Sequence, residues 1–66
     1  MQYYKINYDG GSAVATSANS LTDDEIRQKA LEKGIGDQFD TVLSIENITD
    51  DEDEKAAFAD VTYSLD

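Results

Sequence analysis

Cysteine, histidine, proline and tryptophan are all absent from this chain, and each absence closes off some chemistry or geometry. Without cysteine there is no disulfide framework and no thiolate metal ligand. Without histidine the commonest general base and the commonest transition-metal ligand are missing. Positive charge is scarce too. Five Lys and Arg face fifteen Asp and Glu, for a net charge of −10 at pH 7. A surface this acidic repels nucleic acid and anionic membranes and suits a basic partner. No apolar run approaches the roughly 20 residues needed to span a bilayer. The opening MQYYKINYD holds no signal-peptide core. The expectation is one soluble, cytoplasmic domain over residues 1–66. A chain of this size buries only about 60% of its unfolded surface, so its stability is marginal unless a partner helps.

What is present points to a small α+β fold. In QYYKINY, residues 2–8, Tyr4, Ile6 and Tyr8 alternate with Tyr3, Lys5 and Asn7, the period of a half-buried strand. Asp9-Gly10-Gly11 comes next, with glycines able to supply the positive φ angles of a tight hairpin turn. Ser12 to Ala18 then alternates as a second, weaker strand. Thr22 and Glu25 form a T-x-x-E capping box, flanked by Leu21 and Ile26 as a hydrophobic staple. Asp23, Asp24 and Glu25 suit the positive end of a helix dipole; Arg27, Lys29 and Lys33 suit the other end. Gly34 is placed to end the helix in a Schellman turn with Ile35 folding back on Ala30. The spacing predicts a helix over 23–33, with a narrow apolar stripe of Ile26, Ala30 and Leu31.

Phe39 to Ile48 alternates as a third strand after the Gly34–Asp37 loop. Ala57, Ala59, Val61, Tyr63 and Leu65 alternate as a fourth, which would close a second hairpin through the acidic run 50–54. The alternative is a short helix begun at Asp50, since acidic residues suit a helix N-terminus. The unbroken alternation to Leu65 favours the hairpin. The expected class is therefore β-β-α-β-β, one helix packed on a mostly antiparallel four-stranded sheet. That layout leaves the second sheet face open, where dimerisation is plausible. Tyr3 and Tyr4 point oppositely, so Tyr3 is expected to be exposed, and Phe58 falls off the Ala57-to-Leu65 face. Exposed aromatics serve as interface anchors, but ordinary cross-strand packing explains them as well.

Catalysis is a poor fit. The four lysines stand beside no nucleophile motif, and no carboxylate has the apolar setting that raises its pKa. The glycines match neither a phosphate loop nor a dinucleotide fingerprint. The run Asp50–Glu54 lacks the glycine and final glutamate of a calcium loop, so no dedicated metal site and no cofactor are expected. Asn47-Ile48-Thr49 matches a glycosylation sequon, read here as a chance match.

Charge distribution is more informative. Residues 1–33 hold five acids and four bases, for −1; residues 34–66 hold ten acids and only Lys55, for −9. Asp37, Asp40, Glu46, Asp50, Asp51, Glu52, Asp53, Glu54 and Asp60 are the candidate partner-binding residues. Asp40, Ser44 and Glu46 would share a strand face, with Asp60 joining from the paired strand. Such an anionic band can occupy a Lys/Arg groove that normally holds phosphates, with fast and salt-sensitive binding. Two plainer readings stand beside it: a solvated loop tip that keeps the protein soluble, and the surface of a halophilic protein.

In its layout the chain resembles the small, acidic, cysteine-free phage inhibitors of host defence, the anti-CRISPR and antirestriction DNA-mimic proteins. The QYYKINY strand, the LTDDEIRQKALEKG helix and the TVLSIENITDDEDE segment carry the likeness. The resemblance is one of organisation and transfers no functional residue. It implies a non-enzymatic inhibitor that blocks a basic nucleic-acid-binding protein of the host and does not itself bind nucleic acid. The alternative is an accessory interaction or dimerisation module whose acidity serves solubility alone.

Overall fold

A computed structural model of the chain describes residues 1–35 and 42–66. In chain order the elements are β1 (Gln2–Tyr8), β2 (Gly11–Ser17), α1 (Asp23–Lys33), β3 (Val42–Asn47), α2 (Glu52–Ala57) and β4 (Thr62–Ser64). The four strands form one mixed sheet in the order β3-β1-β2-β4. β1 is antiparallel to both β2 and β3, while β4 runs parallel to β2. The fold is α+β with the strand and main-helix order β-β-α-β-β.

The first hairpin arises from local chemistry. Tyr8 pairs with Gly11, leaving Asp9 and Gly10 as a two-residue turn. Neither turn residue has the positive φ expected of it; that falls to Gly11, the first residue of β2, at 154°. α1 begins and ends where the cap residues place it. The Thr22 hydroxyl accepts from Glu25 N–H at 3.2 Å, and the Glu25 carboxylate accepts from Thr22 N–H at 3.1 Å. At the other end Gly34 adopts φ 68°, ψ 29°, and Ile35 N–H reaches Ala30 O at 3.0 Å while Gly34 N–H reaches Leu31 O. This is the Schellman pairing. Removing the N-cap with Thr22→Ala is expected to cost about 0.5–2 kcal/mol, read as a lower denaturation midpoint with an unchanged slope.

The core lies between α1 and one face of the sheet. Tyr4, Ile6, Ala15, Ile26, Ala30 and Leu65 form its buried cluster, with Tyr8, Leu21, Ile35, Val42 and Ile45 packed against it. Paired positions in the register put Tyr4 with Ala15 and Ile6 with Ala13 and Ile45 on this face. The Tyr4 hydroxyl is itself used: it accepts from Leu21 N–H at 3.0 Å, just before the helix cap. Leu31, expected in the apolar stripe, instead stands 75% exposed. The contact face of α1 therefore comprises Ile26 and Ala30, narrower still than the spacing suggested.

The second half departs from the expected hairpin. Residues 52–57 form α2, with Asp51 as its N-cap accepting from Glu54 N–H at 3.1 Å. β4 is only Thr62–Ser64, not Ala57–Leu65, and lies at the opposite sheet edge from β3. The physical reason combines charge and topology. Three carboxylates in the first turn of α2 sit on its positive dipole end. β3 and β4 point the same way, so the link between them must be a crossover and not a hairpin. It passes over the face opposite α1. The two crossovers run in opposite directions on opposite faces, and so share one hand, as the right-handed rule for such links requires.

The second face is consequently not open. Lys5 and Tyr3, on that face of β1, meet the α2 segment. Lys5 Nζ lies 5.6 Å from the centre of the Phe58 ring, and Lys55 Nζ lies 4.8 Å from that of Tyr3. Tyr3 and Phe58 are both half-buried, so neither stands free as an interface anchor. Among the described residues no helix is long and apolar enough to cross a membrane.

Candidate functional site

The acidic residues gather where β3 ends and α2 begins. β3 is terminated by its own side chains: Asn47 Oδ1 accepts from Thr49 N–H at 2.9 Å, and Thr49 Oγ1 accepts from Tyr3 N–H at 3.0 Å. Asn47 Nδ2 donates to Gln2 Oε1 at 3.1 Å, fastening the same corner to β1. Asp51 N–H then bonds Ile48 O, and the chain turns into α2. The result is an open groove lined by Gln2, Asn47, Thr49 and the side chains of Asp50, Asp51, Glu52 and Asp53.

Two lysines hold this acidic turn in place. Lys5 Nζ donates to Glu54 Oε2 at 3.0 Å, and Lys55 Nζ donates to Glu52 Oε1 at 3.3 Å and to Thr49 O at 3.0 Å. Glu46 faces Lys5 directly across the β1–β3 pairing and accepts from Asn7 Nδ2 at 3.4 Å. The Glu54 hydrogen bond raises the Lys5 pKa above its ordinary 10.5, assisted by the charges of Glu54, Glu46 and Asp51 and opposed by burial. Lys5 therefore stays protonated throughout the physiological range. Six carboxylates, Glu46 and Asp50 to Glu54, share this corner with two ammonium groups. Asp50 and Asp53 are exposed and meet no hydrogen-bond or ion-pair partner among the described residues.

Of the nine residues expected from the sequence, six thus converge. Asp37 and Asp40 lie outside the described residues. Asp60 does not join Glu46: it lies in the turn between α2 and β4, and β4 is separated from β3 by both central strands. The band across a paired β3–β4 hairpin is replaced by a cluster at one corner. Nor is the run 50–54 a loop tip, since residues 52–54 are the first turn of a capped helix.

Sequence reading missed Lys5 and the polar residues Gln2, Asn47 and Thr49. Lys5 carried one usable signal: it is the lone base on the polar face of an aromatic strand. Among the described residues no three carboxylates are arranged so that they could hold a metal ion. The chain matches no known family model, no curated protein and no solved structure.

Proposed function

We propose that the protein is a non-catalytic acidic binding protein whose carboxylate corner occupies a basic, nucleic-acid-binding surface of a host protein. Within that reading, a phage inhibitor of the anti-CRISPR or antirestriction type, acting in the host cytoplasm, is the assignment we favour. The observation that carries it is the gathering of Glu46, Asp50, Asp51, Glu52, Asp53 and Glu54 around two lysines that neutralise only part of the charge. A ligand site of this kind attracts Lys and Arg by long-range steering and gives salt-dependent association. The short capped helix supports the reading further, because it presents the carboxylates on ordered backbone.

Affinity capture from a bacterial lysate tests it. A nucleic-acid-binding protein should be retained at 0.1 M NaCl and released by excess duplex DNA or by 1 M NaCl. A partner retained equally under all three conditions would overturn the charge model.

One observation favours a second reading, an accessory interaction module. Leu43 is 64% exposed beside a register shift in edge strand β3, and Val61 and Tyr63 are exposed near the other edge. An interface built on these side chains would be apolar and insensitive to salt. The high-salt arm of the capture experiment separates the two.

A further inference from the structure

β4 is short, and all three of its residues are exposed. The two residues after it are firmly anchored. Leu65 is 1% exposed and completes the α1-side core, and its N–H donates to Thr16 O at 2.8 Å. Asp66 then grips the end of β2 as a fork: Oδ1 accepts from the buried Ser17 hydroxyl at 3.0 Å, and Oδ2 accepts from Ala18 N–H at 2.8 Å. Lys33 Nζ, from the last turn of α1, donates to the Asp66 backbone oxygen at 3.1 Å. A leucine pit and a carboxylate fork thus sit side by side at the β2 edge.

We propose that residues 62–66 are a detachable strap, locked by this leucine–aspartate pair, and that the slot beneath it accepts the same segment from a second copy of the chain once the lock opens in cis. The slot is specific in chemistry. It offers the edge of β2 for parallel strand pairing, an apolar pit for one side chain, and paired N–H and O–H donors for a carboxylate one residue later. Lys29 and Lys33, on α1, supply positive charge there in an otherwise acidic protein. They are the charged groups that bear on Asp66, whereas β2 contributes only the Ser17 hydroxyl and Ala18 amide. Three exposed residues of pairing contribute little on their own, so it is the buried Leu65 and the Asp66 fork that hold the strap down, and local opening of the strap requires both to release.

The Ala18 amide bond, then the Ser17 bond, then the charges of Lys29 and Lys33 depress the Asp66 pKa below its ordinary 3.8, against an opposing effect of burial. A depressed carboxyl stabilises the folded strap above the unfolded value, and that contribution is lost as pH falls through the lower folded value. Acid is therefore a second way to open the lock.

Two measurements on the full chain test the strap. In Asp66→Asn, exchange of the Leu65 amide should accelerate roughly three- to tenfold while the α1 amides keep their protection. A fluorescent peptide VTYSLD, the sequence of residues 61–66, should bind this variant at least about tenfold more tightly than the same peptide carrying Asp66→Asn. Unchanged Leu65 exchange, or acceleration of α1 in step with Leu65, would overturn the proposal. So would equal binding, or no binding, of the two peptides.

Discussion

Ile26→Ala should remove about 2–5 kcal/mol of stability, the usual cost of truncating a large aliphatic side chain in a packed core. Ile26 is 1% exposed and is one of only two residues by which α1 is buried on the sheet. The whole stability of a domain this size is roughly 3–10 kcal/mol, taking 0.05–0.15 kcal/mol per residue. The loss therefore takes at least about a fifth of the total, and toward the lower end of that range it unfolds the domain at 25 °C. Urea denaturation followed by far-ultraviolet circular dichroism reads it directly. Leu31→Ala on the same helix is the control. At 75% exposure it should change stability by no more than about 0.5 kcal/mol. Equal effects from the two substitutions would mean that α1 does not pack as described.

The second large effect concerns binding. Asp50→Lys together with Asp53→Lys should abolish partner capture and leave the circular dichroism spectrum unchanged. Each exchange adds two positive charges, so the pair takes the net charge from −10 to −6. The choice of positions comes from the structure. Asp51 caps α2 and Glu54 holds Lys5, so reversing either would disturb the helix as well as the charge. Asp50 carries no such duty among the described residues, and Asp53 bears on α2 only through the helix dipole, a contribution of about 0.3–1 kcal/mol. Reversing rim charges acts mainly on association rate and salt dependence, so the capture that is lost is the salt-sensitive one. Capture that survives the double reversal would remove the acidic corner from the interface and turn attention to Leu43 and Tyr63.

The contrast between the two halves of the chain shows what a sequence makes readable. α1 was legible at both ends because capping is local chemistry. Thr22, Glu25 and Gly34 act on backbone groups within a few residues of themselves. The first hairpin was legible for the same reason, apart from which glycine takes the positive φ. The path of residues 49–65 was not. Alternation of Ala57, Ala59, Val61, Tyr63 and Leu65 is compatible with a strand, but nothing in it says where the strand starts or which edge it joins. Pairing of Thr16 with Ser64 is set by the core that Leu65 enters, a contact nearly fifty residues distant in sequence. The charge of the candidate site was legible as composition. Its shape was not, because the counter-charges Lys5 and Lys55 acquire their roles only when α2 crosses the sheet. The same crossover carries Asp60 away from Glu46.

Sheet order also has a consequence for biogenesis. Since β4 joins β2 at the edge remote from β3, the core cannot close until residue 65 has left the ribosomal exit tunnel. Until Leu65 docks, the pit it fills stays empty and the outer edge of β2 is bare. Strong negative charge would then serve a different purpose, keeping neighbouring copies apart while that edge is uncovered.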